Sequence, residues 1–300
     1  RETFPILADI LIDGKAARKL AEREKVRKRT RAYAAYGLGL LARRVGDPAL
    51  SQQVHDLLWQ TLQDKTIKDR DLRTAIVNGL GVMRSDTMRS SDKRLAWQAV
   101  EELLDWFSQD LGATDESVQA HAAVAIGRLL GRGDSSLHRR CKEVFAKTLN
   151  AKKRRGNSVL QSSAIALGML TMPEEANSNE AAYNEALRYN WQKGVDQTAR
   201  QLSVVSLGRI GGKANKEWLA KAYTRGNKSS ERPWLALSLG LLTEPAAAKG
   251  KPDEFIGDML LEDLLSASTD DSRSALAIAV GLNGHPEAAP KMLRMLRDHE

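Results

Sequence analysis

A small residue, a large aliphatic and then glycine recur seven times along this 300-residue chain. The glycines are Gly39, Gly81, Gly127, Gly168, Gly208, Gly240 and Gly281, separated by 42, 46, 41, 40, 32 and 41 residues. That period marks stacked helical repeats, each too small to bury its own apolar face. Immediately before the glycines stand Leu38, Leu80, Ile126, Leu167, Leu207, Leu239 and Val280. Two before are Gly37, Gly79, Ala125, Ala166, Ser206, Ser238 and Ala279; four before are Ala35, Val77, Ala123, Ala164, Val204, Ala236 and Ala277. This is the spacing of one helix face. Glycine within a helix costs about 0.5–1 kcal/mol relative to alanine. Seven at one register therefore imply a shared need, and close approach of a neighbouring helix supplies one.

Ten residues before the glycine, Asp71, Ser117, Ser158, Thr198, Ser230 and Asp271 offer side-chain oxygens suited to an N-cap. Between these anchor helices runs a second apolar pattern, as in Val54-Leu57-Leu58-Leu62 and Cys141-Val144-Phe145-Leu149. The patterns predict outer helices over 2–13, 48–64, 91–110, 136–150, 179–190, 214–224 and 253–266. Anchor helices are predicted over 30–43, 72–83, 118–131, 159–170, 198–211, 231–242 and 272–283, with a trailing helix at 286–298. The fold expected is all-α: one array over 1–300 of about seven antiparallel helix pairs. The repeats fall near 1–45, 46–85, 86–133, 134–172, 173–212, 213–245 and 246–284, with a final helix at 285–300. A start without methionine and an unpaired last helix read as an excerpt of a longer chain, whose flanking parts would be partners of this one.

Segments such as "SVQAHAAVAIGRLLGRGDSSLHRRCKEVFAKTL", "DQTARQLSVVSLGRIGGKANKEWLAKAY" and "DSRSALAIAVGLNGHPEAAPKMLRML" resemble HEAT repeats, especially the short bacterial variety shared with bilin lyases. The stretch "AAYGLGLLARRVGD" is also similar to the glycine-rich repeats of proteasome base subunits. The HEAT resemblance implies a right-handed α-solenoid whose second helices line its concave side, with an Asp–Arg ladder between adjacent turns. Most outer helices lack the proline of that family; only Pro5, Pro48 and Pro252 stand near a start.

Hydrophobic residues make up 42% of the chain and aromatics only 5%, which suits helix pairs lined by alanine and leucine. No apolar run reaches the 18 residues of a membrane span. Cys141 is the only cysteine, so no intrachain disulfide can form, and the compartment stays open with a lean towards the cytoplasm.

The net charge of +8 is concentrated. The segments Lys15–Arg31 and Arg139–Arg155 each carry +7, leaving −6 for the rest. Lys15, Arg18, Lys19, Arg23, Arg27 and Lys28 fall in one outer-to-anchor connection, and Lys152, Lys153, Arg154 and Arg155 in another. Lys65, Lys68, Arg70, Arg225 and Lys228 occupy equivalent turns, so a basic ridge is expected along one edge. Loops of the opposite edge carry Glu174, Glu175, Glu180 and Glu244 and should be nearer neutral. Basic turns serve solubility or attract an acidic protein surface, nucleic acid or anionic lipid. No aromatics interleave with the basic runs to stack on bases.

Eight before the glycine lies an arginine row, Arg31, Arg73, Arg200, Arg232 and Arg273, interrupted by Gln119 and Leu160. A cation in a helix's first turn opposes the dipole. The row either forms a structural ladder or grips an acidic partner. Large side chains six before the glycine, Tyr33, His121 and Trp234, mark the register to test for partner contacts. Trp59, Trp97, Trp106 and Trp218, on outer helices, are expected in the core.

Catalytic signatures are missing. His55, His121, His138, His285 and His299 show neither i,i+4 spacing nor companion carboxylates, and no phosphate loop, nucleophile elbow or C-x-x-C pair occurs. The expectation is a non-enzymatic scaffold without cofactor or metal, binding a protein partner with an acidic surface through an elongated solenoid face with a basic edge. The alternative is a nucleic-acid-binding protein, glycosylase-like in fold.

Overall fold

The computed structural model describes residues 2–83, 90–151, 155–174, 179–225 and 230–297. Lys152, Lys153, Arg154, Glu175, Lys228 and His299 lie outside the described residues. Among the described residues every regular element is an α-helix. The chain forms two compact units, Arg1–Ala166 and Leu167–Glu300.

The first unit holds α1 (Thr3–Leu11), α2 (Lys15–Leu20), α3 (Lys28–Val45), α4 (Pro48–Gln63), α5 (Arg70–Gly81), α6 (Ser90–Ser108), α7 (Ala113–Leu130) and α8 (Ser136–Leu149). It also contains most of α9 (Asn157–Leu170). The second holds α10 (Glu180–Lys193), α11 (Gln197–Ile210), α12 (Lys213–Arg225), α13 (Arg232–Ala247), α14 (Glu254–Ser266), α15 (Asp270–Asn283) and α16 (Ala288–Arg297). The expected helix pairs are present. Only α2 is additional to the predicted elements; it folds part of the first basic connection.

In each unit the anchor helices stack on one another, α3 on α5 on α7 and α11 on α13 on α15. Their outer partners pack behind, as α4 does on α5, α6 on α7, α10 on α11 and α14 on α15. The aliphatic residue before every anchoring glycine is fully buried, and each such side chain contributes ~1.5–3 kcal/mol. Phe107 of α6 meets Phe145 of α8 edge-on at 5.2 Å, which ties successive outer helices.

The glycines sit where anchor helices cross. A Cβ placed on Gly39 would lie 2.1 Å from the Gly79 carbonyl oxygen, and one on Gly81 would lie 2.7 Å from the Ala125 Cβ. On Gly168 it would meet Ser206 Cβ at 2.6 Å, on Gly208 the Ser238 oxygen at 2.3 Å, and on Gly240 the Ala279 Cα at 2.7 Å. The residue met is each time the small one two before the next glycine. One rule therefore joins both small positions: the glycine of one repeat receives the small residue of the next. At Gly281 a Cβ would meet nothing within 4 Å.

The helix starts differ from expectation by half a turn. The caps are Asp69, which accepts from the Leu72 N–H at 2.9 Å, Asp196 from Ala199 at 2.7 Å, and Thr269 from Ser272 at 3.3 Å. All three stand twelve residues before the glycine. Asp71, Ser117, Ser158, Thr198 and Asp271 lie inside the helices and are exposed, so their polarity reflects solvent contact. Ser230 precedes α13, where Glu231 is the N-cap residue and no side chain caps.

Candidate docking surface

Three of the five arginines are tied into the first-to-last-turn contacts of the helix pairs. Arg31 donates to the Leu11 carbonyl at 2.7 Å, Arg200 to Trp191 at 2.7 Å and Arg273 to Ala267 at 3.1 Å. Each acceptor lies at or just beyond the C-terminal end of the paired outer helix, where unpaired carbonyls favour a cation. The dipole conflict disappears because the guanidinium leaves its own helix start for its neighbour's end. Arg73 pairs instead with Asp115 in the first turn of the next anchor helix, and Arg200 also reaches Glu231 at 2.7 Å. Lys28 pairs with Asp69 at 3.2 Å. These contacts form the ladder between adjacent turns.

Aromatic rings lie under the same guanidiniums, Trp106 under Arg73, Trp191 under Arg200 and Tyr223 under Arg232, at 5.9, 5.7 and 5.0 Å. The Arg73 side chain is only 14% exposed. Arg232 binds Asp263, and Arg273 binds Asp270 at 2.9 Å. Where Gln119 breaks the row it is buried and donates to the Trp106 and Gln109 carbonyls at 2.8 and 2.9 Å. Arg155, from the following connection, supplies the missing guanidinium. It donates to Phe107 O at 2.9 Å and Gln119 Oε1 at 2.8 Å, approaches Glu116 at 3.4 Å and stacks 5.1 Å from the Phe107 ring. Arg155 is thus a structural member of the row and not part of the free basic ridge that its place in the sequence suggests.

Around α2 the basic charge is open. Lys15, Lys19, Arg23, Arg27 and Lys28 are exposed, and Arg18 is half-buried against Asp13 at 2.9 Å. Asp13 organises this lobe, since its carboxylate also accepts from the Val26 N–H at 2.7 Å. The Arg18 hydrogen bond, followed by that of Val26, holds the Asp13 carboxyl below the usual carboxylate range. A depressed folded pKa means the tie is present above the ordinary aspartate pKa of about 4 and is lost as pH falls through the lower folded value. Protection of residues 14–27 from hydrogen exchange, taken relative to intrinsic rates, should therefore fall on acidification below pH 4, and Asp13→Asn should show low protection on both sides of that pH.

The edge expected to be near neutral is partly internal. Glu180 is buried and accepts from the Met172 N–H at 2.9 Å, and Glu174 pairs with Arg188 at 3.0 Å. Glu244 is exposed.

At the register six before the glycine Ser162 and Ala275 are buried, whereas the large side chains are not. Tyr33 is 64% exposed, with Arg29 donating to its hydroxyl at 3.1 Å. His121 is half-buried; that burial, then the charge of Arg128, lowers its pKa. Trp234 lines a groove of about 690 Å³ across α11, α13 and α15. Pro233, Trp234, Leu237, Ala275 and Ile278 give it apolar lining, Gln197, Gln201, Ser230, Thr269, Ser272 and Ser274 supply neutral polar groups, and Asp271 adds a carboxylate. Of the four tryptophans expected in the core only Trp106 is buried; Trp59 and Trp218 are half-buried and Trp97 is exposed, while Trp191 near the end of α10 is buried as well.

Two histidines do have companion carboxylates, contrary to the sequence reading. Glu102 of α6 lies 2.9 Å from the ring of buried His55, which also faces Asp56 at 3.1 Å, and Asp258 lies 3.0 Å from His285. Glu102 and Asp258 are 47 and 27 positions away, so only the packing of helices brings them near. No group of three metal-ligating side chains forms among the described residues. Burial pushes the Cys141 thiol up to about 12, so it is protonated and unsuited to nucleophilic attack. No described helix is long and apolar enough to cross a membrane.

No protein-family model matches this chain, and no curated protein matches it. Among solved structures it is similar to an engineered protein whose crystal structure came from the Northeast Structural Genomics Consortium. The identity is 14% over 96% of this chain and 91% of that one, with a TM-score of 0.26. Neither fold nor role is carried over from so distant a likeness.

Proposed function

We propose that this chain is a non-enzymatic scaffold of the HEAT type that holds another protein against the open face of its anchor helices. The observation that carries this reading is the Trp234 groove. An apolar lining with amide and hydroxyl groups and one carboxylate, Asp271, matches the surface of a polypeptide; phosphate recognition needs cations. Most of the arginine row is engaged within the fold, which leaves the α2 lobe as a concentrated open source of positive charge in the first unit. That lobe favours an acidic partner and speeds encounter more than it holds the complex.

A photoreactive amino acid at Leu237 tests the groove. The expected result is a cross-link to a distinct protein that is lost in Trp234→Ala. Reversing Lys15, Lys19, Arg23 and Arg27 to glutamate should slow association about tenfold at low salt and leave dissociation nearly unchanged. Persistence of the cross-link in Trp234→Ala would count against the groove. The nucleic-acid reading draws on exposed Tyr33 beside the lobe. DNA binding with a steep salt slope, lost on charge reversal, would favour it.

A further inference from the structure

One arginine of the row lacks the carboxylate that every other member meets. Arg73 pairs with Asp115, Arg200 with Glu231, Arg232 with Asp263 and Arg273 with Asp270, and Arg155, standing in at Gln119, approaches Glu116. Half-buried Arg31 forms no ion pair among the described residues. Its Nε donates to the Leu11 carbonyl at 2.7 Å, which fixes the guanidinium plane and leaves its two outer nitrogens for another acceptor. The reason lies in where the next anchor helix begins. Asp115 and Asp69 both stand twelve residues before their glycine. Because α7 starts at Ala113, Asp115 lies in its first turn and can meet Arg73. Because α5 starts at Arg70, Asp69 is its cap, accepting from the Leu72 N–H at 2.9 Å and pairing with Lys28 at 3.2 Å. The gap is therefore internal to the first unit, between α3 and α5.

Arg31 lines a cavity of about 690 Å³, together with Lys28, Lys68 and Arg70. The carboxylates of the same lining are engaged elsewhere or offset. Asp13 is held at 2.9 Å by Arg18, which stands outside the lining, and Asp64 accepts from the Thr66 N–H and hydroxyl at 2.8 and 2.7 Å. Asp71 is exposed in the first turn of α5, where the positive helix end compensates it. With Asp13 neutralised from outside, the cavity keeps a surplus of positive charge. We propose that it is a carboxylate receptor in which Arg31 grips an aspartate or glutamate side chain of an acidic protein partner. A guanidinium fork takes both oxygens of a carboxylate at once, which an ammonium group cannot do. Ile12, 53% exposed on the same lining, offers apolar contact to the stem of that side chain. Asp13 belongs both to this lining and to the α2 lobe, so the charge that speeds encounter adjoins the group that holds the complex. The assignment rests on the partner being an acidic protein and adds the place where its charge is gripped.

The probe is a rhodamine-labelled peptide of alternating glutamate and serine, followed by stopped-flow anisotropy at fixed salt. It should bind the whole chain saturably. Arg31→Lys keeps the charge and loses the fork, so dissociation should quicken about tenfold with association nearly unchanged. Reversal of Lys15, Lys19, Arg23 and Arg27 should have the opposite signature, slower association. Arg31→Lys also gives up the Leu11 contact, so Asp64→Asn supplies a variant that leaves α1 untouched. Its amide oxygen can still accept from Thr66, and removal of a competing charge should slow dissociation about threefold. Equal dissociation from the parent and Arg31→Lys overturns the receptor, and so does unchanged or faster dissociation from Asp64→Asn. A single-stranded oligonucleotide that binds with the same dependence on Arg31 overturns the carboxylate assignment in favour of phosphate. Absence of peptide binding also overturns the receptor, while the Trp234 cross-link still decides the scaffold reading separately.

Discussion

Gly208→Ala should destabilise the protein by about 3 kcal/mol, although alanine is the better helix former by about 1 kcal/mol. The new methyl would lie 2.3 Å from the Ser238 oxygen and 2.8 Å from its Cα, and neither can rotate away because both belong to a helix backbone. Relief requires α11 and α13 to separate, which opens the packing around Val204, Leu207, Leu235 and Leu239, all buried. Gly281→Ala is the matched control. It has the same register and the same gain in propensity but nothing to strike, so it should stabilise by about 0.5–1 kcal/mol. Urea unfolding followed by helical circular dichroism measures both. Equal shifts in the two variants would show that the glycines are not there for helix crossing.

The crossing rule is legible in the sequence because it depends on backbone proximity. A small residue that returns seven times at one register of a helix points to a neighbouring backbone, and the paired helices follow from apolar spacing. What stays hidden depends on distant partners. Nothing near His55 in sequence announces Glu102, and nothing near Gln119 announces that Arg155 will lie against its amide. The arginine row is visible as a pattern, yet its purpose hangs on where the outer helix ends. The same holds for Tyr33 and Trp234. Their register is buried at Ser162 and Ala275, and only the packing shows that Tyr33 stands in solvent. Around α2, the run of basic residues over 14–27 looks like a solvated connection because Ala17 and Val26 are its only buried side chains and make no periodic stripe.

Arg155→Ala should lower stability by about 2 kcal/mol, because its loss strips hydrogen-bond partners from the Phe107 carbonyl and the Gln119 amide at once. Its pairing with Glu116 adds little at 3.4 Å and partial exposure. The row itself suggests the rescue. At the register of Gln119 other repeats place arginine, whose guanidinium reaches the end of the paired outer helix and can stack on an aromatic ring. Gln119→Arg alone should be destabilising, since two guanidiniums would compete for the space over the end of α6. In the Arg155→Ala background the same substitution should be favourable, with the new arginine taking the Trp106 or Phe107 carbonyl and Glu116 as acceptor. A double-mutant cycle should therefore show a coupling of about 1–2 kcal/mol between sites 36 positions apart. Additive effects would mean that Arg155 does not stand in for the missing member of the row, and that the break at Gln119 is filled by the amide alone.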